Sequence, residues 1–180
     1  MNYAEIKNCD IANGPGVRVS LFVSGCTHRC KGCFNEIAWD FDYGKPFTQD
    51  TVDMLLRMLE PDHIKGITLL GGEPFDPQNQ PTVVEFLRQM KGKFPNKTVW
   101  AFSGYLFDKD MLSGRLGPLT MEFLSYLDVL VDGPFVEAKK NLSLRFRGSS
   151  NQRIIDVPAS LQAGEVILWE DWQGHGRGMK

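Results

Sequence analysis

Apolar residues along the chain fall into short continuous runs, and turn-forming residues border most of them. Such runs predict buried β-strands. Six runs have the length of a strand, and the last two are the weaker candidates: 17–25, 66–72, 97–104, 128–133, 153–157 and 165–169.

Three of the stretches between these runs have helical periodicity. From Thr48, a candidate N-cap, apolar side chains recur at Val52, Leu55, Leu56 and Leu59, which predicts an amphipathic helix that ends before residue 61. The segments 80–94 and 118–127 are predicted as helices from the same kind of pattern.

Strands and helices therefore alternate, and the apolar runs are apolar throughout. Both features favour a parallel sheet covered by helices. A complete eight-fold barrel needs about 250 residues, whereas this chain has 180. We therefore expect an α/β fold, a partial (open) α/β barrel with a mostly parallel sheet of five or six strands. Residues 1–170 are predicted to form a single domain and 171–180 a flexible C-terminal tail.

Composition excludes some partners and compartments. The net charge of −2 does not favour a nucleic acid or an anionic membrane. No apolar run approaches the roughly 20 residues of a membrane span. The N-terminus lacks the basic and apolar regions of a signal peptide. We therefore expect a cytoplasmic protein with no nucleic-acid or membrane partner, in which cysteines stay reduced.

Three of the four cysteines lie within eight positions, directly after the first predicted strand. Cys26, Cys30 and Cys33 have the spacing C-x₃-C-x₂-C. Their odd number fits disulfide pairing badly, and in an α/β fold ligands bind at the carboxyl ends of the strands. We therefore interpret them as ligands of a metal centre.

Two kinds of metal centre compete. A structural zinc site is closed by four protein ligands. The fourth ligand could come from His28 or Cys9, although neither has a favourable spacing. Three thiolates can instead bind three irons of a [4Fe–4S] cluster and leave one iron open to a substrate or cosubstrate. The spacing favours the cluster over zinc by roughly two to one. Inert buried cysteines are the least favoured alternative.

A second motif, GGEP at 71–74, closes the second predicted strand. Alone it is most often a tight turn. One strand–helix–strand unit separates it from the cysteines, however, so it should lie beside them at the same edge of the sheet. Its glycines would let backbone approach a ligand, and Glu73 could accept a hydrogen bond from an ammonium group.

Together the two motifs resemble the radical S-adenosylmethionine superfamily. The resemblance narrows to the anaerobic ribonucleoside-triphosphate reductase activases in the segments 10–35, 71–79, 103–105, 128–137 and 147–156. It implies that Cys26, Cys30 and Cys33 bind the cluster. It also implies that Gly32, Cys33 and Phe34 line the cosubstrate S-adenosylmethionine, and that Gly71, Gly72 and Glu73 hold its methionine end.

The resemblance also implies an activity. An activase of this kind reductively cleaves S-adenosylmethionine at the cluster and uses the 5′-deoxyadenosyl radical to form a glycyl radical on the reductase. A one-electron donor such as a flavodoxin would supply the electron. The alternatives are an activase of another glycyl-radical enzyme, a radical enzyme acting on a small metabolite, or a non-catalytic electron carrier or zinc module.

Other residues permit more than one interpretation. Asp132 could contact the ribose or the target backbone, or equally serve as a cap or turn ligand. The basic stretch is by default a solvated face, with partner docking or binding of the cosubstrate carboxylate as alternatives. Cys9 is predicted to be a lone thiol. For the segment after Asp156 the resemblance implies nothing. The basic stretch comprises Lys139, Lys140, Arg145, Arg147 and Arg153.

Overall fold

The computed structural model describes residues 1–170, which form a mixed sheet of seven strands. The strand order is β3-β1-β2-β4-β5-β6-β7. Strands β2, β4, β5 and β6 run parallel in the centre, and β1, β3 and β7 pair antiparallel at the two sides. The strands are β1 (Asn2–Asp10), β2 (Val17–Val23), β3 (Lys45–Pro46), β4 (Ile64–Gly71), β5 (Thr98–Phe102), β6 (Val129–Asp132) and β7 (Arg153–Asp156).

The four α-helices contribute apolar side chains to one core against the sheet. Strand residues of one alternation, such as Leu21 and Leu69, belong to this core, whereas Arg18, Thr68 and Trp100 have the opposite alternation. The helices thus cover one face of the sheet, and none in residues 1–170 has the length and apolar content of a membrane span. The helices are α1 (Gln49–Leu59), α2 (Gln80–Lys93), α3 (Thr120–Ser125) and α4 (Val157–Ala163), with short 3₁₀ or π segments at Glu36–Trp39, Phe107–Met111 and Glu137–Lys139.

On the other face of the sheet, the buried cation of Arg18 joins neighbouring parallel strands near their amino ends. The guanidinium of Arg18 donates from Nε to Thr68 Oγ1 (2.9 Å), from Nη1 to Thr98 Oγ1 (2.9 Å) and from Nη2 to Ile67 O (2.7 Å). One side chain of β2 thereby binds β4 and β5. This end of the sheet is consequently built for stability, and the opposite end remains for chemistry.

The prediction of the α/β class is confirmed, as are the four central strands and the first three helices. The predicted number of five or six strands is wrong, because β1 and β3 were missed. Register shifts between Tyr3 and Glu5 and between Lys7 and Asp10 interrupt the two-residue alternation that would have revealed β1. The predicted strand at 165–169 forms only an isolated bridge, Leu168 to Ile155.

The sheet is open. Helices on one face are compatible with a barrel wall, but the partial barrel stays a prediction. The helix α4, also missed, follows β7 directly: the Asp156 side chain accepts from Ala159 N at its start, and Gly164 ends it in a left-handed conformation. The predicted flexible tail lies outside the described residues.

Candidate iron–sulfur site

The cysteine loop (residues 24–35) and the GGEP turn (71–74) lie side by side at the carboxyl ends of β2 and β4. The two strands pair in parallel, with Val23 opposite Gly71. The Gly72 N–H donates to Val23 O (2.7 Å), and the Glu73 N–H donates to Gly25 O (2.8 Å). The predicted proximity of the two motifs is therefore confirmed.

Glycine is required where the two segments meet. A Cβ on Gly72 would overlap the Gly25 carbonyl oxygen and would lie 2.9 Å from Gly25 C and 3.0 Å from Ala38 O. Gly25 has a φ of 92°, and a Cβ there would overlap the ring of Phe41. The close approach at Gly72 is thus to the protein's own backbone.

A buried amide that sequence analysis missed joins the two segments further. Asn79 is 1 % exposed, and its Nδ2 donates to Ser24 O (3.0 Å) and to Glu73 O (2.9 Å). Its position in a polar turn before α2 gave no signal that its side chain reaches back over the cysteine loop. Asn79 therefore contributes to the site by positioning backbone.

The three cysteines of the loop are free and half-buried. Cys33 N donates to Cys30 O (3.1 Å), and Asn35 N donates to Cys33 Sγ (3.4 Å). Burial raises the pKa of Cys26 to about 11 and also raises the pKa of Cys30. The thiols of Cys26 and Cys30 therefore stay protonated at neutral pH until a metal displaces their protons.

The donor set fits an iron–sulfur cluster. Within residues 1–170, no three His, Cys, Asp or Glu side chains converge where a single metal ion could bind. A cluster does not require that convergence, because each of its three thiolate ligands binds a different iron. Three neighbouring thiols on one loop provide the soft ligands that iron–sulfur clusters take.

The carboxylate of Glu73 is 1 % exposed and contacts several donors. Its Oε1 accepts from Phe75 N and from Ser103 Oγ, both at 2.9 Å, and its Oε2 accepts from Gly104 N at 2.7 Å. His28 Nε2 lies 3.0 Å from Oε2. Burial disfavours a charge on His28, but Glu73 together with Asp110 and Asp76 outweighs that effect, and the pKa of His28 is raised.

The residues predicted to line the cosubstrate are in the cysteine loop. Gly32 has a φ of 72°, and Phe34 is 86 % exposed. A cleft of about 760 Å³ adjoins this loop on the side of the 3₁₀ segment Glu36–Trp39. Its lining includes Cys26, Arg29 and Trp39, but none of the GGEP residues. The roles of Gly32, Cys33, Phe34, Gly71, Gly72 and Glu73 toward a cosubstrate stay predictions.

Asp132 at the end of β6 is fully buried and serves as a turn ligand and ion-pair partner. Its carboxylate accepts from Phe107 N (2.8 Å) and from Arg153 Nε (2.9 Å). Arg153 also contacts Asp108 Oδ1 at 2.7 Å, and this hydrogen bond lowers the pKa of Asp108. Arg153 thus belongs to a structural ion-pair network, and the basic stretch is not one uniform docking face.

Cys9 lies far from the other three cysteines. Its neighbour Asp10 pairs with Arg18 near the start of β2, whereas Cys26 follows the end of that strand. The seven residues of β2 span roughly 20 Å. In this structure Cys9 is therefore not placed to be the fourth ligand of a metal at the cysteine loop.

Comparison with known proteins bears on this site. Residues 12–155 match a family model described as a 4Fe-4S single cluster domain. A protein of Escherichia coli named anaerobic ribonucleoside-triphosphate reductase-activating protein is 42 % identical over 154 residues, which are 84 % of this chain and 96 % of that protein. The chain belongs to the reductase-activating protein family.

Two further members of the activating-protein family carry the same name. The protein of Enterobacteria phage T4 is 42 % identical over 156 residues (86 % of this chain, 93 % of that protein), and that of Pasteurella multocida is 40 % identical over 156 residues (86 % and 96 %). The resemblance to the reductase activases is confirmed. Membership supports an iron–sulfur cluster over zinc as the group that the cysteine loop binds.

Proposed function

We propose that this protein is a radical S-adenosylmethionine activase that forms a glycyl radical on an anaerobic ribonucleoside-triphosphate reductase. Cys26, Cys30 and Cys33 would hold a [4Fe–4S] cluster. When bound, the cluster would supply one-electron cleavage of S-adenosylmethionine to methionine and a 5′-deoxyadenosyl radical, which would take a hydrogen atom from a glycine of the partner and become 5′-deoxyadenosine. A one-electron donor such as a flavodoxin would deliver the electron.

One observation carries the proposal: the cysteine loop and the GGEP turn are joined backbone to backbone at the carboxyl ends of adjacent parallel strands. In an α/β sheet this edge is where ligands bind. A protein that only stored a cluster would need the segment that supplies the thiolates, but no second segment beside it. Here a second segment, the GGEP turn, is held against the first, which suits a site that takes a cosubstrate beside the cluster. The names of the relatives support the reductase as the partner.

The chain's own residues prepare the site in two ways. The hydrogen bonds of Gly72 N and Glu73 N fix the start of the cysteine loop relative to β4. Half-burial of the three thiols would limit access of water to the cluster. The binding edge lies at the rim of an open sheet, which leaves room for a macromolecular substrate.

The proposal is tested by anaerobic reconstitution with iron and sulfide. We expect about four irons and four sulfides per chain. Replacing Cys26, Cys30 or Cys33 by Ala should abolish the cluster, because each thiolate binds its own iron. Cys9→Ala is the matched control and should retain full iron, since it lies at the other end of β2.

The partner reaction is measured by electron paramagnetic resonance. Mixing the reconstituted protein with the reductase, S-adenosylmethionine and a reductant should produce a glycyl radical signal on the reductase. A cluster-loaded protein that gives no such signal and cleaves no S-adenosylmethionine would favour an electron carrier. Stoichiometric zinc in place of iron would refute the proposal altogether.

A further inference from the structure

The side chain of His28 extends from the cysteine loop onto the rim of the sheet. It lies between Cys26 and Cys30, and its side chain is only 17 % exposed. Its Nε2 is 3.0 Å from Glu73 Oε2, and its ring packs against Tyr105 with centroids 4.3 Å apart. The cysteine loop is thereby joined to the ends of both β4 and β5.

The pocket around His28 is shaped for this imidazole. A Cβ on Gly104 would lie 2.6 Å from His28 Nε2, so any side chain there would displace the ring. Thr27, the neighbouring residue, donates from Oγ1 to Asp76 Oδ2 (3.2 Å). Two consecutive residues between the first two cysteines therefore contact the turn that follows β4.

Glu73 is anchored independently of His28. Both of its oxygens accept from Phe75 N, Ser103 Oγ or Gly104 N, and these donors belong to the turns after β4 and β5. These three hydrogen bonds hold the carboxylate without a contribution from His28. The fourth contact, to His28, therefore fixes the cysteine loop relative to the rim of the sheet.

We propose that Glu73 and His28 are positioning residues that hold the cysteine loop in its cluster-binding conformation. The inference rests on the proposed function only in requiring a bound cluster. It gives the Glu73 side chain a different role from the one implied by the family resemblance, where it holds the methionine end of the cosubstrate. The contact with Glu73 would fix the loop that carries Cys26 and Cys30, and these two thiolates would therefore stay in place to bind their irons.

The experiment measures how fast the cluster is lost. The anaerobically reconstituted protein is mixed with an excess of an iron chelator, and the decay of the iron–sulfur absorbance is followed. His28→Ala should lose its cluster about tenfold faster, which corresponds to about 1.4 kcal/mol, because the contact with Glu73 and the packing against Tyr105 are lost together. The electron paramagnetic resonance signal of the reduced cluster in His28→Ala should also broaden, because the cysteine loop then samples several conformations.

Three variants make the result specific. His28→Gln keeps a polar N–H group that can approach Glu73 and should restore slow loss, whereas a merely space-filling role for the imidazole would not predict this rescue. Gly104→Ala displaces the ring without removing it and should reproduce the effect of His28→Ala, even if His28→Ala itself fails to fold. His63→Ala removes an exposed histidine from the turn before β4 and should behave as the unsubstituted protein.

The outcomes separate this inference from the proposed function. If the unsubstituted protein binds no cluster, both are wrong. If it binds a cluster and both His28→Ala and Gly104→Ala lose it no faster than His63→Ala, the positioning role is wrong and the proposed function stands. Fast loss in His28→Gln equal to that in His28→Ala would also overturn the role assigned to the polar contact with Glu73.

Discussion

Replacing Gly72 by Ala adds one methyl group at the junction of the cysteine loop and the GGEP turn. The new Cβ would overlap Gly25 O and lie 2.9 Å from Gly25 C and 3.0 Å from Ala38 O, whereas ordinary contacts begin near 3.4 Å. All three atoms belong to backbone, so no flexible side chain can give way. The Gly25 carbonyl must retreat, and Cys26 moves with it.

The cost can be worked from these contacts. Overpacking of a filled interior costs about 1–3 kcal/mol. Displacing Gly25 also weakens the 2.8 Å bond from Glu73 N, and each such bond contributes about 0.5–1.5 kcal/mol. Together we expect about 1.5–4.5 kcal/mol of lost unfolding free energy. For a chain of this size that corresponds to a melting temperature lower by roughly 3–18 °C.

Thermal unfolding followed by circular dichroism measures this loss, and iron analysis after reconstitution measures its consequence for the cluster. The matched control is Gly92→Ala in α2, where a Cβ meets no atom within 4 Å. It should stabilise the protein by up to about 1 kcal/mol through helix propensity. A Gly72→Ala protein that melts within about 1 °C of the unsubstituted protein and binds full iron would refute the steric argument.

Two further predictions concern charge. The hydrogen bond from Arg153 lowers the pKa of Asp108 below its ordinary 3.8, so its stabilisation is present above about pH 4 and is lost as the pH falls further. Since the pair is partly exposed, Asp108→Asn should cost less than about 1 kcal/mol at pH 7, and the difference should vanish in acid denaturation curves near pH 2; a constant difference would contradict the linkage. Charge reversal at the exposed Lys139 and Lys140 should slow glycyl radical formation, measured at low salt, without changing uncoupled cleavage of S-adenosylmethionine. Lys45→Glu at the far side of the sheet is its control, and equal effects of all three reversals would remove the docking role.

The sequence alone determined the central architecture and the edge of the sheet at which the two motifs meet. Four apolar runs separated by helical periodicity define parallel strands, and the carboxyl ends of parallel strands meet at one edge. The proximity of the cysteine loop to the GGEP turn follows from that rule and from the number of residues between them. Local spacing also predicted Cys26, Cys30 and Cys33 as cluster ligands, because ligands of one cluster on one loop must be near in sequence.

Only the tertiary structure decided what the polar residues around the site contact. The sequence suggested that Glu73 is available to a ligand, but its oxygens accept from donors thirty residues away in Ser103 and Gly104. Asp132 and Arg153 pair in the same way across β6 and β7. Such partners depend on which strands become neighbours and in what register, and no local pattern contains that information. Strand β1 escaped sequence analysis for a related reason, since its register shifts have meaning only against β2.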